Sequence, residues 1–313
     1  MSSEFIKPMN PLLAPERYAP LRLVPLMPHF GARIEGLDLT KDQPEEIKRT
    51  LREAFLRFGV LFFPNQKPVS PEQQIQLASI FGDPDPGSPF IPKIADGVDI
   101  LITDRENPPY ANLWHSDNTG LPHSSFGTLI QIQECPPVGG NTSWSSTRMS
   151  YSCLSDEMKT YLEKLQAYHY WDNRGQNDRS PDGLRFDNDF FETYFKRLKE
   201  MPPQIHPVVR RHPITGEPAI YVNETFTKAI LGRHIYESKS TLEFLFAWNH
   251  IPEFHLVHHW QKNDIAVWDN FSMQHYALGD YTAYRVNQRV EFELGKSLDY
   301  GFSKNNESKS VLA

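Results

Sequence analysis

His115 and Asp117, in the stretch Trp114-His115-Ser116-Asp117, stand two residues apart. On an extended segment such residues project to the same side, because side chains alternate with a period of two. One imidazole nitrogen and one carboxylate oxygen then meet at a point. A second histidine arriving from elsewhere would complete a two-histidine, one-carboxylate face, which leaves three cis positions of an octahedral ferrous ion open. What bears on that reading lies 160 residues downstream, in Met273-Gln274-His275-Tyr276-Ala277. Alone, the His-x-Asp triplet reads more readily as a structural hydrogen-bonded pair.

Further candidates lie near the end of the chain. Arg285 and Arg289, four apart in a strand-like run, share a face. They are either guanidinium forks for carboxylates or charges paired with Glu291 and Glu293. Thr142 follows the turn Pro136-Pro137-Val138-Gly139-Gly140-Asn141, and is either a β-branched strand residue or a hydroxyl donor. His255, His258 and His259 form a second cluster without an acidic partner on the same strand face, and read as structural. Trp114 and Trp268 read as packing that excludes water.

The elements that must position these groups follow from patterning. The chain has 313 residues, enough for one large domain, and residues 1–313 are read as that single domain. A formal charge of −7 argues against a nucleic-acid or anionic-membrane partner. Cys135 and Cys153 do not make a disulfide framework, and no apolar leader or spanning run is present. A cytoplasmic protein is therefore expected, with a homo-oligomer left open.

Residues 1–20 read as an irregular arm. Asp42 is placed to cap a helix beginning near Pro44, with Ile47, Leu51, Ala54, Phe55 and Phe58 at helical spacing and Gly59 as its stop. Val60 to Phe63 is a continuously apolar strand. Ser70 and Gln73 form a capping box for the next helix, which runs to Gly82. Strands are expected at 98–102, 126–132, 142–144, 208–211, 219–222 and 285–292, and helices after Ser155 and over 240–248. The runs 254–260 and 265–269, joined by Gln261-Lys262-Asn263-Asp264, read as adjacent antiparallel strands. The aromatic, charged stretch 168–195 lacks periodicity and reads as an active-site lid, and 302–313 as a loose tail. Many short strands flanked by helices make the fold class mainly β, with a double-stranded β-helix (jelly-roll) core.

Taken together, Trp-His-x-Asp at 114–117, Pro-Pro-x-Gly-Gly-x-Thr ending at Thr142, Trp-Asp-Asn-x-x-x-Gln-His from Trp268 to His275 and the two arginines cover most of the chain. This set resembles the taurine dioxygenase and 2,4-dichlorophenoxyacetate dioxygenase family of iron(II)- and 2-oxoglutarate-dependent oxygenases. The resemblance implies that His115, Asp117 and His275 are catalytic ligands of Fe(II), and that O2 and the cosubstrate 2-oxoglutarate bind that metal. It further implies that Arg285 and Thr142 hold the far carboxylate of 2-oxoglutarate, and that Arg289 holds an anionic group of the primary substrate. The loop Ser88 to Lys93 departs from the sulfonate-using members, since it lacks their histidine, and Arg174 falls where they carry a serine. Taurine is accordingly not the expected substrate. Lys93, Arg174 and Arg289 would together face a small carboxylate-bearing molecule, with Tyr110 and Asn112 lining the same mouth. The expected reaction is oxidation of a C–H bond with release of succinate and CO2. The same chemistry diverted to desaturation, cyclisation or rearrangement stays open, as do a non-catalytic jelly-roll binding protein and a zinc hydrolase, although the last leaves Thr142 and Arg285 unexplained.

Overall fold

Val60-Leu61-Phe62-Phe63 shows how one strand serves two cores. Val60 and Phe62 point to one apolar cluster, Leu61 and Phe63 to another, and all four are buried. The structure, a computed structural model, describes residues 10–87, 91–104, 112–122, 124–170 and 202–300.

In chain order the first elements are β1 (Arg22–Pro25), β2 (Ala32–Glu35), α1 (Glu45–Phe58), β3 (Val60–Phe63) and α2 (Pro71–Ala78). Then come β4 (Asp83–Pro84), β5 (Lys93–Ala95), β6 (Val98–Thr103), β7 (Gly127–Glu134) and β8 (Thr142–Ser146). The middle of the chain holds α3 (Thr147–Ser152), α4 (Asp156–Leu162), β9 (Gln166–His169), β10 (Gln204–Pro207), β11 (Val209–Arg211), β12 (Pro218–Ile220) and β13 (Thr227–Ile230). It ends with α5 (Ile235–Asn249), β14 (His255–His258), β15 (Ile265–Asp269), β16 (Met273–Ala277) and β17 (Arg285–Glu293).

The large sheet runs β1-β2-β3-β15-β7-β17-β6-β5, with β4 also on β17, and a second sheet runs β14-β8-β16. Alternation gives the large sheet two faces. Its outer face, with Leu61, Leu129, Val267, Val290 and Phe292, packs with Leu51, Phe55 and Phe58 of α1 and Leu77 of α2. Its inner face, with Phe62, Ile130, Ala266 and Trp268, packs with Trp144 and Met273 of the second sheet. Trp144 is wholly buried, edge-on to Phe62, Trp260 and Trp268 at centroid distances of 5.1, 6.0 and 5.8 Å. Two packed sheets with flanking helices make the jelly-roll architecture expected from the sequence.

Several local expectations hold. Ser70 and Gln73 close the capping box of α2, and Ser155 caps α4. Gly59, at φ 72°, ends α1, and a β-carbon there would lie 2.7 Å from Met273 Sδ, so only glycine fits between helix and second sheet.

Others are corrected. Asp42 does not cap α1, whose N-cap is Pro44 without a side-chain bond, and Asp42 instead pairs with Lys48 at 2.7 Å. The helix after Ser70 ends at Ala78 and continues to Gly82 as turns. The helix expected over 240–248 begins at Ile235, because Glu237 returns a bond to the His234 amide in a capping box with histidine as cap. Within the expected irregular arm, 11–13 and 15–18 form short 3-10 turns, Tyr18 is fully buried beside Phe58, and its hydroxyl donates to Leu12 O at 2.5 Å. Tyr168 and His169 belong to β9, and the rest of the expected lid, 171–195, lies outside the described residues, as does the tail 302–313. The runs at 255–258 and 265–269 are not paired with each other. β14 pairs β8, whereas β15 lies between β3 and β7, so the intervening turn crosses from one sheet to the other. Trp260, buried at that crossing, donates its indole N–H to Thr142.

Among the described residues no helix is long and apolar enough to cross a membrane. Because Trp144 joins both sheets, Trp144→Ala should lower unfolding free energy by about 3–5 kcal/mol, seen as a fall in the urea midpoint with an unchanged slope.

Candidate active site

The approach of His115 to His275 is made by backbone. His115 N–H donates to His275 O at 3.1 Å and His275 N–H to His115 O at 2.8 Å, an isolated antiparallel bridge on the edge strand β16. Ser116 Oγ, donating to Met273 O at 2.8 Å, fastens the same junction. The chain then turns, and Asp117 projects beside both rings. Asp117 Oδ1 lies 3.8 Å from His115 Nε2 and 3.7 Å from His275 Nε2. Divalent first-row ions hold such donors at about 2.0–2.2 Å, so donors up to about 4 Å apart share one ion. Of the described residues, these three form the group of histidine, cysteine and acidic side chains able to hold a metal. Imidazole and carboxylate in this ratio fit ferrous iron.

The carboxylate is oriented from its other oxygen. Thr128 Oγ1, on β7, donates to Asp117 Oδ2 at 2.7 Å, and Asn270 Nδ2 donates to Thr128 Oγ1 at 3.0 Å. Asn270 Oδ1 accepts from the Asp117 amide at 3.3 Å and from the Trp268 indole at 3.1 Å. His115 Nδ1 lies 2.7 Å from Leu113 O, which suits a tautomer with Nε2 free to ligate.

Beyond this ring, β17 carries Arg285, Arg289 and Glu291 on its inner face. Arg289 Nη2 stands 3.2 Å from Asp117 Oδ1 and also pairs with Glu291. Glu291 is 1% exposed, and Asn118 Nδ2 donates to its two oxygens at 2.9 and 2.8 Å. Asn118 has φ 57°, a left-handed conformation that asparagine tolerates better than most residues.

Arg285 is buried, and its Nε has no hydrogen-bond partner. Burial lowers its pKa, while the neighbouring Tyr281 hydroxyl opposes that shift. Tyr281 links Arg285 to the turn before Thr142, for it bonds Thr103 at 2.6 Å and would lie 3.2 Å from a β-carbon on Gly140. Gly139 and Gly140 both have positive φ, and Gly140 N–H donates to Asp280 Oδ1 at 2.8 Å. Thr142 Oγ1 accepts from Trp260, leaving its own proton to give. An unsatisfied buried guanidinium nitrogen and a hydroxyl donor suit the distal carboxylate of 2-oxoglutarate.

Burial shapes the electrostatics. It disfavours a charged Asp117, yet Arg289, His275, His115 and the Thr128 hydroxyl outweigh it and hold the carboxyl below its usual range. Burial lowers the His275 ring from 6.5 to about 3, helped by His115 and opposed by Asp117. It lowers His115 as well. Both rings are therefore neutral, as metal ligands must be.

The remaining candidates separate. Lys93 is on β5, where its ammonium bonds Pro86 O at 2.6 Å and Asp99 Oδ1 at 3.1 Å. Asp99, fully buried, stands opposite Arg289 in the β6–β17 ladder. Asn112 is half-buried just before His115. Tyr110 and Arg174 lie outside the described residues. Trp114 stacks on His250 and packs on His255 at centroid distances of 4.8 and 4.6 Å, and His258 stacks on Phe62. His258 does have an acidic neighbour, Asp264 at 3.3 Å, supplied by the following turn and not by its own strand. The sequence reading passed over Thr128, Asn118 and Asn270. Only Asn270 carried a signal, as part of the Trp-Asp-Asn run.

This jelly roll, with its inward His-Asp-His group, places the protein among the metal-dependent oxygenases. The chain belongs to the taurine catabolism dioxygenase TauD, TfdA family, whose model matches residues 22–290. It is an iron(II)- and 2-oxoglutarate-dependent dioxygenase. The alkylsulfatase of Acinetobacter baylyi is 30% identical over 86% of this chain and 84% of its own length. The alpha-ketoglutarate-dependent sulfate ester dioxygenase of Pseudomonas putida is 30% identical over 85% and 87%. The alpha-ketoglutarate-dependent 2,4-dichlorophenoxyacetate dioxygenase of Cupriavidus pinatubonensis is 28% identical over 88% and 96%. Among solved structures, a taurine dioxygenase from Burkholderia xenovorans superposes with a TM-score of 0.72 at 26% identity, covering 87% of this chain and 90% of that one.

The depressed His275 pKa has a consequence for the metal-free protein. Between 6.5 and about 3 the unfolded chain takes up a proton that the folded ring refuses, so stability falls as pH drops through that window. Urea midpoints of metal-free protein between pH 7 and 4.5 should decline, and His275→Gln should decline less steeply.

Proposed function

We propose that this dioxygenase oxidises a C–H bond of a small carboxylate-bearing substrate whose anionic end is taken by Arg289, releasing succinate and CO2. In this reading His115, Asp117 and His275 hold the iron, and Arg285 with Thr142 takes the far carboxylate of 2-oxoglutarate. The observation that carries the substrate reading is the Arg289 guanidinium 3.2 Å from the Asp117 carboxylate, a cation at the rim of the metal group. Bound ferrous iron, with 2-oxoglutarate and O2, supplies the oxidising power that an unactivated C–H bond requires.

The chain's own residues supply placement. Thr128 and Asn270 fix which oxygen Asp117 turns to the metal. With Asp117 serving as a metal ligand, Arg289, now 3.2 Å from it, would be the guanidinium placed to take a substrate anion. Such an anchor sets which carbon faces the reacting centre. Trp268, with its ring centroid 4.8 Å from that of His275, excludes water on the inner side. Lys93, whose ammonium is paired with Asp99, is assigned to the same mouth as a second cation. Tyr110, Asn112 and Arg174 are assigned to the same mouth on sequence position, and 168–195 to its cover. The named relatives act on sulfate esters and on 2,4-dichlorophenoxyacetate, so an anionic substrate is common to them, while the carboxylate is this chain's specific expectation.

Two measurements test the assignment. Thr128→Val should weaken metal affinity by about 10- to 100-fold in an anaerobic metal titration, and unchanged affinity would remove Thr128 from the support of the ligand. A panel of small carboxylates, sulfonates and sulfate esters screened for stimulated succinate release identifies the substrate class. For the best member, Arg289→Ala should lower kcat/KM by about 10- to 100-fold. An unaffected ratio would end the role given to Arg289.

A further inference from the structure

Arg289 does not face the substrate space as a lone cation. Its guanidinium bonds Glu291, two residues along the same strand face, and Glu291 is held in turn by Asn118, which donates to its two oxygens. Asn118, which donates to both carboxylate oxygens, also donates to Ser125 Oγ at 3.1 Å and sits directly after a metal-group residue in a tight turn. The one other described cation assigned to this mouth, Lys93, is similarly matched by the buried Asp99. Each positive group assigned to the substrate anion and described here thus has a buried carboxylate of its own.

We propose that Glu291 is a specificity-determining residue that restricts the Arg289 subsite to monoanions and rejects dianions; this rests on the reading of Arg289 as the substrate's anion partner. The cost of removing an anion from water rises roughly as the square of its charge, whereas its attraction to a fixed cation rises only in proportion. An isolated buried guanidinium repays both kinds of anion. A guanidinium that already shares its charge with a carboxylate held by Asn118 repays a single charge in part and a double charge not at all. A carboxylate, sulfonate or sulfate monoester suits such a subsite, and a phosphate monoester dianion does not. Were Glu291 only a latch that orients Arg289, its loss would weaken anions of either charge alike.

Methanesulfonate and inorganic sulfate are close in shape, carry one and two charges, and do not titrate near neutral pH. Their binding to the iron-loaded, 2-oxoglutarate-bound protein without oxygen is measured by calorimetry for wild type, Glu291→Gln, Glu291→Ser and Arg289→Ala. Two Glu291 replacements are used so that the result does not hang on one folding well. We expect wild type to prefer methanesulfonate, both Glu291 variants to shift that preference toward sulfate by about tenfold, and Arg289→Ala to weaken both anions. If Arg289→Ala weakens methanesulfonate but the Glu291 variants leave the ratio of the two affinities unshifted, the role of Glu291 is overturned and that of Arg289 stands. If methanesulfonate binding is insensitive to Arg289→Ala, or undetectable in wild type, the Arg289 reading falls and the Glu291 inference with it.

Discussion

Two backbone hydrogen bonds, exchanged between His115 and His275, are the constraint on which the site depends. They join the segment 112–122 to the edge strand of the second sheet. Without a fixed Cα separation, bringing two imidazoles within a metal's reach would cost more conformational entropy. The bridge fixes that separation first, and the rings, with centroids 4.1 Å apart, need only choose rotamers. Everything around it is arranged to keep the bridge in place. Ser116 ties the loop to Met273, and the aromatic contacts of Trp144 hold the second sheet against the first.

The second theme is charge compensation in a dry interior. Asp117, Arg289 and Glu291 are all buried or nearly so, and each is tolerable only because the others are there. Thr128, Asn118 and Asn270 complete the set by supplying neutral donors to oxygens the guanidinium does not reach. The network makes Arg289 part of the electrostatic environment of the His-Asp-His group, one guanidinium set between two carboxylates.

The same separation of duties is visible in the fold. The outer face of the large sheet is an ordinary apolar core covered by α1 and α2, and no group assigned to chemistry lies on it. The inner face carries aromatics at one end and Arg285, Arg289 and Glu291 at the other. One strand, β17, joins both, since Val290 and Phe292 point outward while Arg289 and Glu291, alternating with them, point inward.

Periodicity and motif spacing were enough to mark strands at 60–63, 98–102, 126–132 and 285–292, each within two residues of the observed ends, the capping box at Ser70, and His115, Asp117 and His275, which the fold brings together. These were legible because each is a local pattern: alternation, a cap three residues from its partner, or a short motif. What pairs with what was not local. The strands at 255–258 and 265–269 look like a hairpin in one dimension but belong to different sheets, because burying Trp260 and two apolar faces outweighs pairing across a short turn. Lys93 reads as an open cation until Asp99 is seen beneath it, and the pairing of Arg289 with Glu291, an alternative the spacing already offered, is found together with Asp117 and Asn118 around it. The chain's order of residues thus determined which chemistry is possible here. Only the tertiary structure decided which charges remain available to a substrate, since compensation depends on through-space distances that no spacing along the chain encodes.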